Sequence, residues 1–254
     1  MKNKIVLVVL IWIWVSSFTY AQSPKIDAKA DQLLHSMSDL LGQANAFSFT
    51  TSETHDRHKR SGKTGQVTFS RQLTLRRPDG LWIKATGEKG GMAGVWYDGK
   101  TLTLQSDAEK VFTQVVMPPK LDQALDYAAD HLDLPMPMAD LFYSSPYKSL
   151  VTPETTGSYV KSETIEGKDC AQLSFQDPNV DWRIWIAEKD QPIVCQLELI
   201  YKQEEGKPKS FMTFRDWNFS PKVDANLFTH IPPKGYERIP ILGDADPSFE
   251  NPKN

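Results

Sequence analysis

Between Phe47 and Phe219 the chain alternates apolar and polar residues in short runs, the period of two expected of strands with one buried face. Phe47 and Phe49 alternate with Ser48 and Thr50, and a charged turn follows from His55 to Gly62. The next run sets Val67, Phe69, Leu73 and Leu75 on one face, with Arg71 interrupting it, and Gln66, Thr68, Ser70, Gln72 and Thr74 on the other. Arg77-Pro78-Asp79-Gly80 turns the chain into Leu81-Trp82-Ile83-Lys84, and Asp98-Gly99 is a hairpin signal between Val95-Trp96-Tyr97 and residues 101–105. With residues 111–116, this first block reads as an antiparallel meander of five or six strands. A second block is predicted at 159–165, 169–176, 181–187, 193–202 and 210–219, with a short strand near Tyr236.

Helical periodicity occurs in two places. Leu33, Leu34, Met37, Leu40 and Leu41 form an amphipathic stripe before the first strands, ending at Gly42, a residue type that stops helices. Between the two strand blocks, Pro118-Pro119 introduces Leu121, Ala124, Leu125, Ala128, Ala129 and Leu132. A second short helix is predicted from Pro137, a residue favoured in a first turn, carrying Met138, Leu141 and Phe142. Two helices inserted between two blocks of strands read as a cover laid across a sheet. The predicted class is therefore α+β, mostly β: a half-open antiparallel barrel of about ten or eleven strands, with an N-terminal helix and a two-helix cover.

The hairpin from Asp181 to Tyr201 departs from simple alternation. Trp182, Ile184 and Ile186 share the face assigned to the concave side with Leu197 and Leu199, whereas Trp185 stands on the opposite face beside Arg183. A sheet with one face in water normally keeps its apolar residues on the other. Tryptophans on both faces imply that each side is covered or docked upon.

The N-terminus has the three parts of a secretory signal. Lys2 and Lys4 give a positive start, Ile5 to Val15 an apolar core, and Thr19-Tyr20-Ala21 a cleavage site of the small-residue kind. The core is shorter than the roughly 20 apolar residues a membrane span needs, and no cysteine follows for lipid attachment. Residues 1–21 are read as a cleaved signal, 22–239 as one domain, and 240–254 as a disordered polar tail; the competing reading is an uncleaved signal anchor. The expected location is the periplasm, with no membrane-spanning segment. The 29 basic side chains, Lys2 and Lys4 among them, stand against 32 acidic ones. That balance lacks the basic stripe of nucleic-acid binders.

Cys170 and Cys195 are the only cysteines, and an exported chain meets oxidising conditions. In a meander, however, their strands flank a third, which separates the backbones by about 9–10 Å. A disulfide needs Cα atoms closer than about 7 Å. Cys170 also falls with Gln172 and Ser174 on a polar face, and Cys195 on an apolar one. Free thiols are expected.

Catalytic and ligand-binding motifs fail on inspection. Gly62-Lys63-Thr64 resembles the end of a P-loop, but Arg57 occupies the required glycine position and strands lie on both sides. Gly87, Gly90, Gly91 and Gly94 lead into Val95-Trp96-Tyr97 rather than a helix, so no dinucleotide fingerprint is formed. His55 and His58 lack a third metal ligand and read as part of a solvated basic turn. No Gly-x-Ser-x-Gly or His-Glu-x-x-His occurs. Nothing near Cys170 in sequence would lower its pKa. The reading is non-catalytic, without cofactor or metal.

Aromatic residues remain. Trp82, Trp96, Trp182, Trp185 and Trp217, with Tyr201 and Phe211, are spread over most strands. They either fill the half-barrel or line a space between sheet and helices, and physical arguments alone leave both open. The candidate lining is Phe69 on the first block, Leu125, Leu141 and Phe142 on the cover, and Trp182, Ile184, Ile186, Leu197, Leu199 and Trp217 on the second block.

Five runs carry a resemblance across residues 30–239: Leu75-Arg76-Arg77-Pro78-Asp79, Trp96 to Thr103, Ala124-Leu125-Asp126-Tyr127, Pro137 to Leu141, and Asp181 to Ile186. Together they resemble a family of predicted periplasmic proteins classed as a domain of unknown function, itself similar to the LolA/LolB/LppX-like lipoprotein carriers. The resemblance implies a half-open barrel closed by helices over a hydrophobic cavity, and hence a lipid, acyl chain or lipoprotein as partner. The same fold also serves envelope-stress sensors that bind proteins, so a protein-interaction module with a filled core is the alternative, with the Trp185 face or a sheet edge as its docking patch. Fold alone does not choose between them.

Overall fold

The computed structural model describes residues 25–58, 64–88, 91–132, 134 and 137–241. The predicted signal, the tip of the basic turn and most of the predicted tail lie outside the described residues. Among the described residues, no helix is long and apolar enough to cross a membrane.

Among the described residues, twelve strands form one open sheet. The first meander is β1 (Ala46–His58), β2 (Thr64–Arg76), β3 (Gly80–Gly87), β4 (Met92–Tyr97), β5 (Thr101–Ser106) and β6 (Val111–Val116). The second is β7 (Thr156–Ile165), β8 (Lys168–Gln176), β9 (Val180–Ala187), β10 (Val194–Tyr201) and β11 (Lys209–Asn218). β1 pairs with β11 and welds the two together, while the two-residue β12 (Glu237–Arg238) runs parallel to β6 at one edge. The order β12-β6-β5-β4-β3-β2-β1-β11-β10-β9-β8-β7 leaves β12 and β7 as edges, so the barrel is not closed. The fold class is as the alternation implies, with twelve strands rather than ten or eleven. β1 and β2 are much longer than the first apolar runs suggested, because β1 continues through Thr51, Glu53 and His55 into the charged segment.

The concave face holds the core. Helix α1 (Ala28–Gln43) lies across it with Ala30, Leu34, Met37 and Leu41 fully buried, a stripe at helical spacing. Asp27 caps its first turn, accepting from the Ala30 amide at 2.8 Å. The helix does not stop at Gly42. That glycine instead permits close approach, since a Cβ there would collide with the carbonyl oxygen of Ser144 in the cover.

The cover consists of α2 (Leu121–His131), a 3₁₀ turn (Ala139–Phe142) and α3 (Pro146–Leu150). The helix predicted from Pro137 is that short turn, and α3 was not foreseen. Arg77 ties these parts to the sheet: its guanidinium donates to the carbonyls of Leu41 (3.3 Å), Phe142 (2.9 Å) and Tyr143 (2.7 Å). One side chain thereby satisfies the carbonyl oxygens left open at the ends of two helical segments. Tyr97 donates to the Pro118 carbonyl at 2.6 Å and fixes the entry to α2.

Cys170 and Cys195 form a disulfide, contrary to the expectation of free thiols. Their Cα atoms are 6.8 Å apart because β10 carries an irregularity in register between Val194 and Gln196, with Cys195 inside it. Such a bulge re-aims a side chain and bends its strand. Here it turns Cys195 onto the convex face and brings it across Ala187, the small last residue of β9, towards Cys170. Trp185 lies on the convex face as predicted, yet it is only 6 % exposed. It packs with Cys170, Cys195, Ala187 and, edge-on, Phe211, and its Nε1 donates to Glu163. The Trp185 face is a small second core and is not available as the docking patch.

Candidate functional site

From one end of the concave face to the other, β1 and its neighbours change character. Phe47 and Phe49 sit among Leu73, Leu75, Phe214 and Trp217, all apolar. Further along the same face come Thr51, Glu53 and His55 on β1, Arg71 on β2 and Ser210 on β11. The pairings Thr51 with Arg71, Glu53 with Phe69 and His55 with Ser210 set these side chains in one stripe across three strands.

The Glu53 side chain is fully buried. Three donors meet its carboxylate: Arg71 through Nη1, Thr51 through its hydroxyl, and His55 Nε2 at 3.0 Å. His55 Nδ1 is 2.7 Å from the Ser210 hydroxyl. His55 therefore belongs to the interior of the half-barrel and not to a solvated turn; His58 has no described side chain. The Phe69 ring lies 4.9 Å from the His55 ring, almost parallel to it, and 4.6 Å beneath the Arg71 guanidinium. A buried carboxylate is tolerable only with such partners, since removing one partner of a buried ion pair costs about 3–5 kcal/mol. The stripe is thus held in place electrostatically, between the apolar Phe47–Phe49 region and the more polar rim of the sheet.

Two spaces lie on either side of it. The larger, about 690 Å³, opens at the sheet rim between the ends of β1, β9, β10 and β11 and the segment containing the 3₁₀ turn and α3. Trp182, Leu199 and Tyr201 give it an apolar floor, while Asp140, Asp177, Ser149 and His55 make its walls polar. Asp177 accepts from Trp182 Nε1 at 2.8 Å and from the Thr155 hydroxyl at 2.6 Å. Burial pushes the Asp140 carboxyl above its ordinary pKa, opposed by the hydrogen bond from Ser149. The smaller space, about 170 Å³, lies under the cover and is lined by Ile83, Ala85, Ala93, Val95, Leu104, Leu134, Met138 and Phe142, with Arg71 the one charged residue among the described lining. Ala93 is exposed, so the chamber reaches solvent there. A further void of about 30 Å³ shares Val95, Leu104 and Leu134 with it and extends towards Leu125 and Ala128 of α2.

The ten predicted lining residues separate into groups. Trp182 and Leu199 line the larger cavity, Phe142 the smaller chamber and Leu125 the adjoining void. Phe69 supports Arg71 and His55. Leu141, Ile184, Ile186 and Leu197 are buried in close-packed core that borders none of these spaces. Trp217 packs against Phe47, Phe49 and Phe214, donates to the Val194 carbonyl at 2.9 Å, and borders a separate crevice of about 270 Å³. Glu53, His55 and Ser210 were missed. Continuing the alternation from Phe47 and Phe49 by two residues at a time would have reached Thr51, Glu53 and His55.

An open antiparallel half-barrel with helices across its concave face defines the class of this chain. More specifically, it belongs to the family described as predicted periplasmic protein (DUF2092), whose model matches residues 30–242. No curated protein matches the chain. Among solved structures it is similar to the lipoprotein LppX of Mycobacterium tuberculosis, at 12% identity and a TM-score of 0.48, covering 78% of this chain and 100% of that one. It is similar to a LolA superfamily protein of Nitrosomonas europaea, at 8% identity and a TM-score of 0.40, over 79% of this chain and 97% of the other. MucB in the Pseudomonas aeruginosa MucA/MucB complex shows 14% identity and a TM-score of 0.39, over 80% of this chain and 62% of that one.

Proposed function

We propose that this chain is a non-catalytic periplasmic binding protein that takes an apolar ligand, a lipid or acyl chain, between the concave sheet and its helical cover. The observation that supports this reading is the 170 Å³ chamber, whose described walls are hydrocarbon except at Arg71. Apolar clefts with a single polar group are the usual form of small-ligand sites. At about 30 Å³ for a water-sized group, the chamber has room for roughly six methylenes. Their burial would contribute on the order of 5 kcal/mol at about 0.8 kcal/mol each, and longer chains gain from the void beside α2. The chamber and that void together are too small for several acyl chains at once, so this site favours a single chain over the bulky anchor of a lipoprotein.

The test is mass spectrometry of an organic extract from protein isolated gently from the periplasm. The expected result is a lipid or acyl compound present in molar proportion to the protein. Repeatedly empty extracts, with unchanged tryptophan fluorescence on adding fatty acids or phospholipids, would overturn the reading.

A further inference from the structure

We infer that the apolar chamber is selective for a single-chain amphiphile with an anionic head group, which Arg71 receives from the chamber side. The inference rests on the binding function proposed above and adds the ligand's chemical class. Four observations carry it.

Among the described residues, Arg71 is the only charged one lining a chamber otherwise made of aliphatic, Met and Phe side chains. Its guanidinium has five N–H donors in a planar fork, and among the described residues only Nη1 has a hydrogen-bond partner, Glu53. Glu53 does not depend on Arg71 alone, since Thr51 and His55 also donate to it, so the fork can be shared without stripping the buried carboxylate. Phe69 beneath the guanidinium holds its plane in place. The head group of a chain lying in the chamber would therefore meet a preorganised donor at low local dielectric. That favours a carboxylate or phosphate oxygen and rejects an ammonium.

The larger cavity gives an anion no comparable reception. Asp56, Asp140, Glu154, Asp177 and Glu204 stand on its wall against Lys209 and the His55 ring. An anionic head is thereby directed to the Arg71 side of the stripe.

The experiment is competition of four chains of equal length, octanoate, octyl phosphate, 1-octanol and octylammonium, against a neutral fluorescent apolar probe on the intact protein. Wild-type protein is expected to bind octanoate or octyl phosphate about tenfold more tightly than octanol, the fold-change of one charge-assisted hydrogen bond, and to bind octylammonium weakest. The order of the two anions tells a fatty acid from a phosphorylated amphiphile. In the double variant Glu53→Gln/Arg71→Met, which removes both charges and avoids leaving one buried alone, the ratio of anion to octanol is expected to fall to about unity. Circular dichroism checks its folding, and because the ratio is read within each protein, a general loss of affinity cancels. The wild-type order stands as a test even if the variant does not fold. Equal binding of octanoate and octanol by the wild type, or an unchanged ratio in the folded variant, overturns the inference. Failure of the probe and all four chains to bind overturns the underlying function instead.

Discussion

The two halves of the sheet are built alike and packed differently. In the second half, Ala171, Leu173, Phe175, Ile184 and Ile186 are buried in one core with α1 and border none of the spaces described above, and Phe175 stacks on Trp182 at 4.0 Å. Its convex side is also covered, by Trp185, Phe211 and the Cys170–Cys195 bridge. In the first half, β3 and β4 place two small residues, Ala85 and Ala93, directly opposite each other, whereas in the second half Ala171 is paired with Ile186. Leu134, Met138 and Phe142 stand over that gap without filling it. The same architecture therefore yields a close-packed core on one side, with open space at its polar rim beside Trp182, and an apolar chamber under the cover on the other; the difference comes down to side-chain volume at a few inward positions.

Breaking the rigid half should have the largest effect. Replacing both cysteines by alanine removes a cross-link between residues 25 apart in sequence, expected to cost about 3–4 kcal/mol of unfolding free energy, read from chemical denaturation. If stability is unchanged, the second half does not rely on its bridge.

An intermediate effect is expected from filling the chamber. Ala93→Leu should weaken binding of apolar chains about tenfold or more while changing stability by less than about 1 kcal/mol, because the added side chain enters existing space. The matching change in the packed half, Leu173→Ala, should cost about 2–5 kcal/mol and leave chain binding close to wild type. Fluorescence titration and denaturation of the two variants side by side measure both quantities. Equal behaviour of the pair would erase the distinction between the halves.

The smallest effect concerns the rim. Asp140 has a folded-state pKa raised by burial above 3.8, so the native state binds its proton more tightly than the unfolded chain does. Its contribution favours folding below the unfolded value and is lost as pH rises through the folded value. Asp140→Asn can still accept from Ser149 and should raise the melting temperature slightly at pH 7, with the advantage vanishing below about pH 3. An advantage that instead grows in acid would contradict the assigned cause.

Strands and their faces were legible because alternation reports directly on which side is buried: Trp182, Ile184, Ile186 and Leu197 are inside, and Trp185 is outside. What alternation cannot report is a bulge. The disulfide was misjudged because one extra residue at Cys195 both reverses its face and shortens the span to Cys170. Arg71 was visible as an interruption in an apolar face, but its partner Glu53 drew no attention beyond the Phe47–Phe49 run, and His55 was hidden in a charged segment that reads as solvated turn. Gly42 looked like a helix stop because a tertiary contact, the Ser144 carbonyl, leaves no trace in local sequence. The chamber was the least legible feature of all. It depends on Ala85 and Ala93 facing each other beneath Met138 and Phe142, a juxtaposition set by register and by the path of the cover.

The most direct measurement is alanine-methyl NMR during titration with an apolar chain. Ala85 and Ala93 mark the chamber, and Ala171 marks the packed half. The account predicts saturable shifts of the Ala85 and Ala93 methyls on adding octanoate, with Ala171 unmoved. Stationary Ala85 and Ala93 methyls, or a larger shift at Ala171, would contradict it.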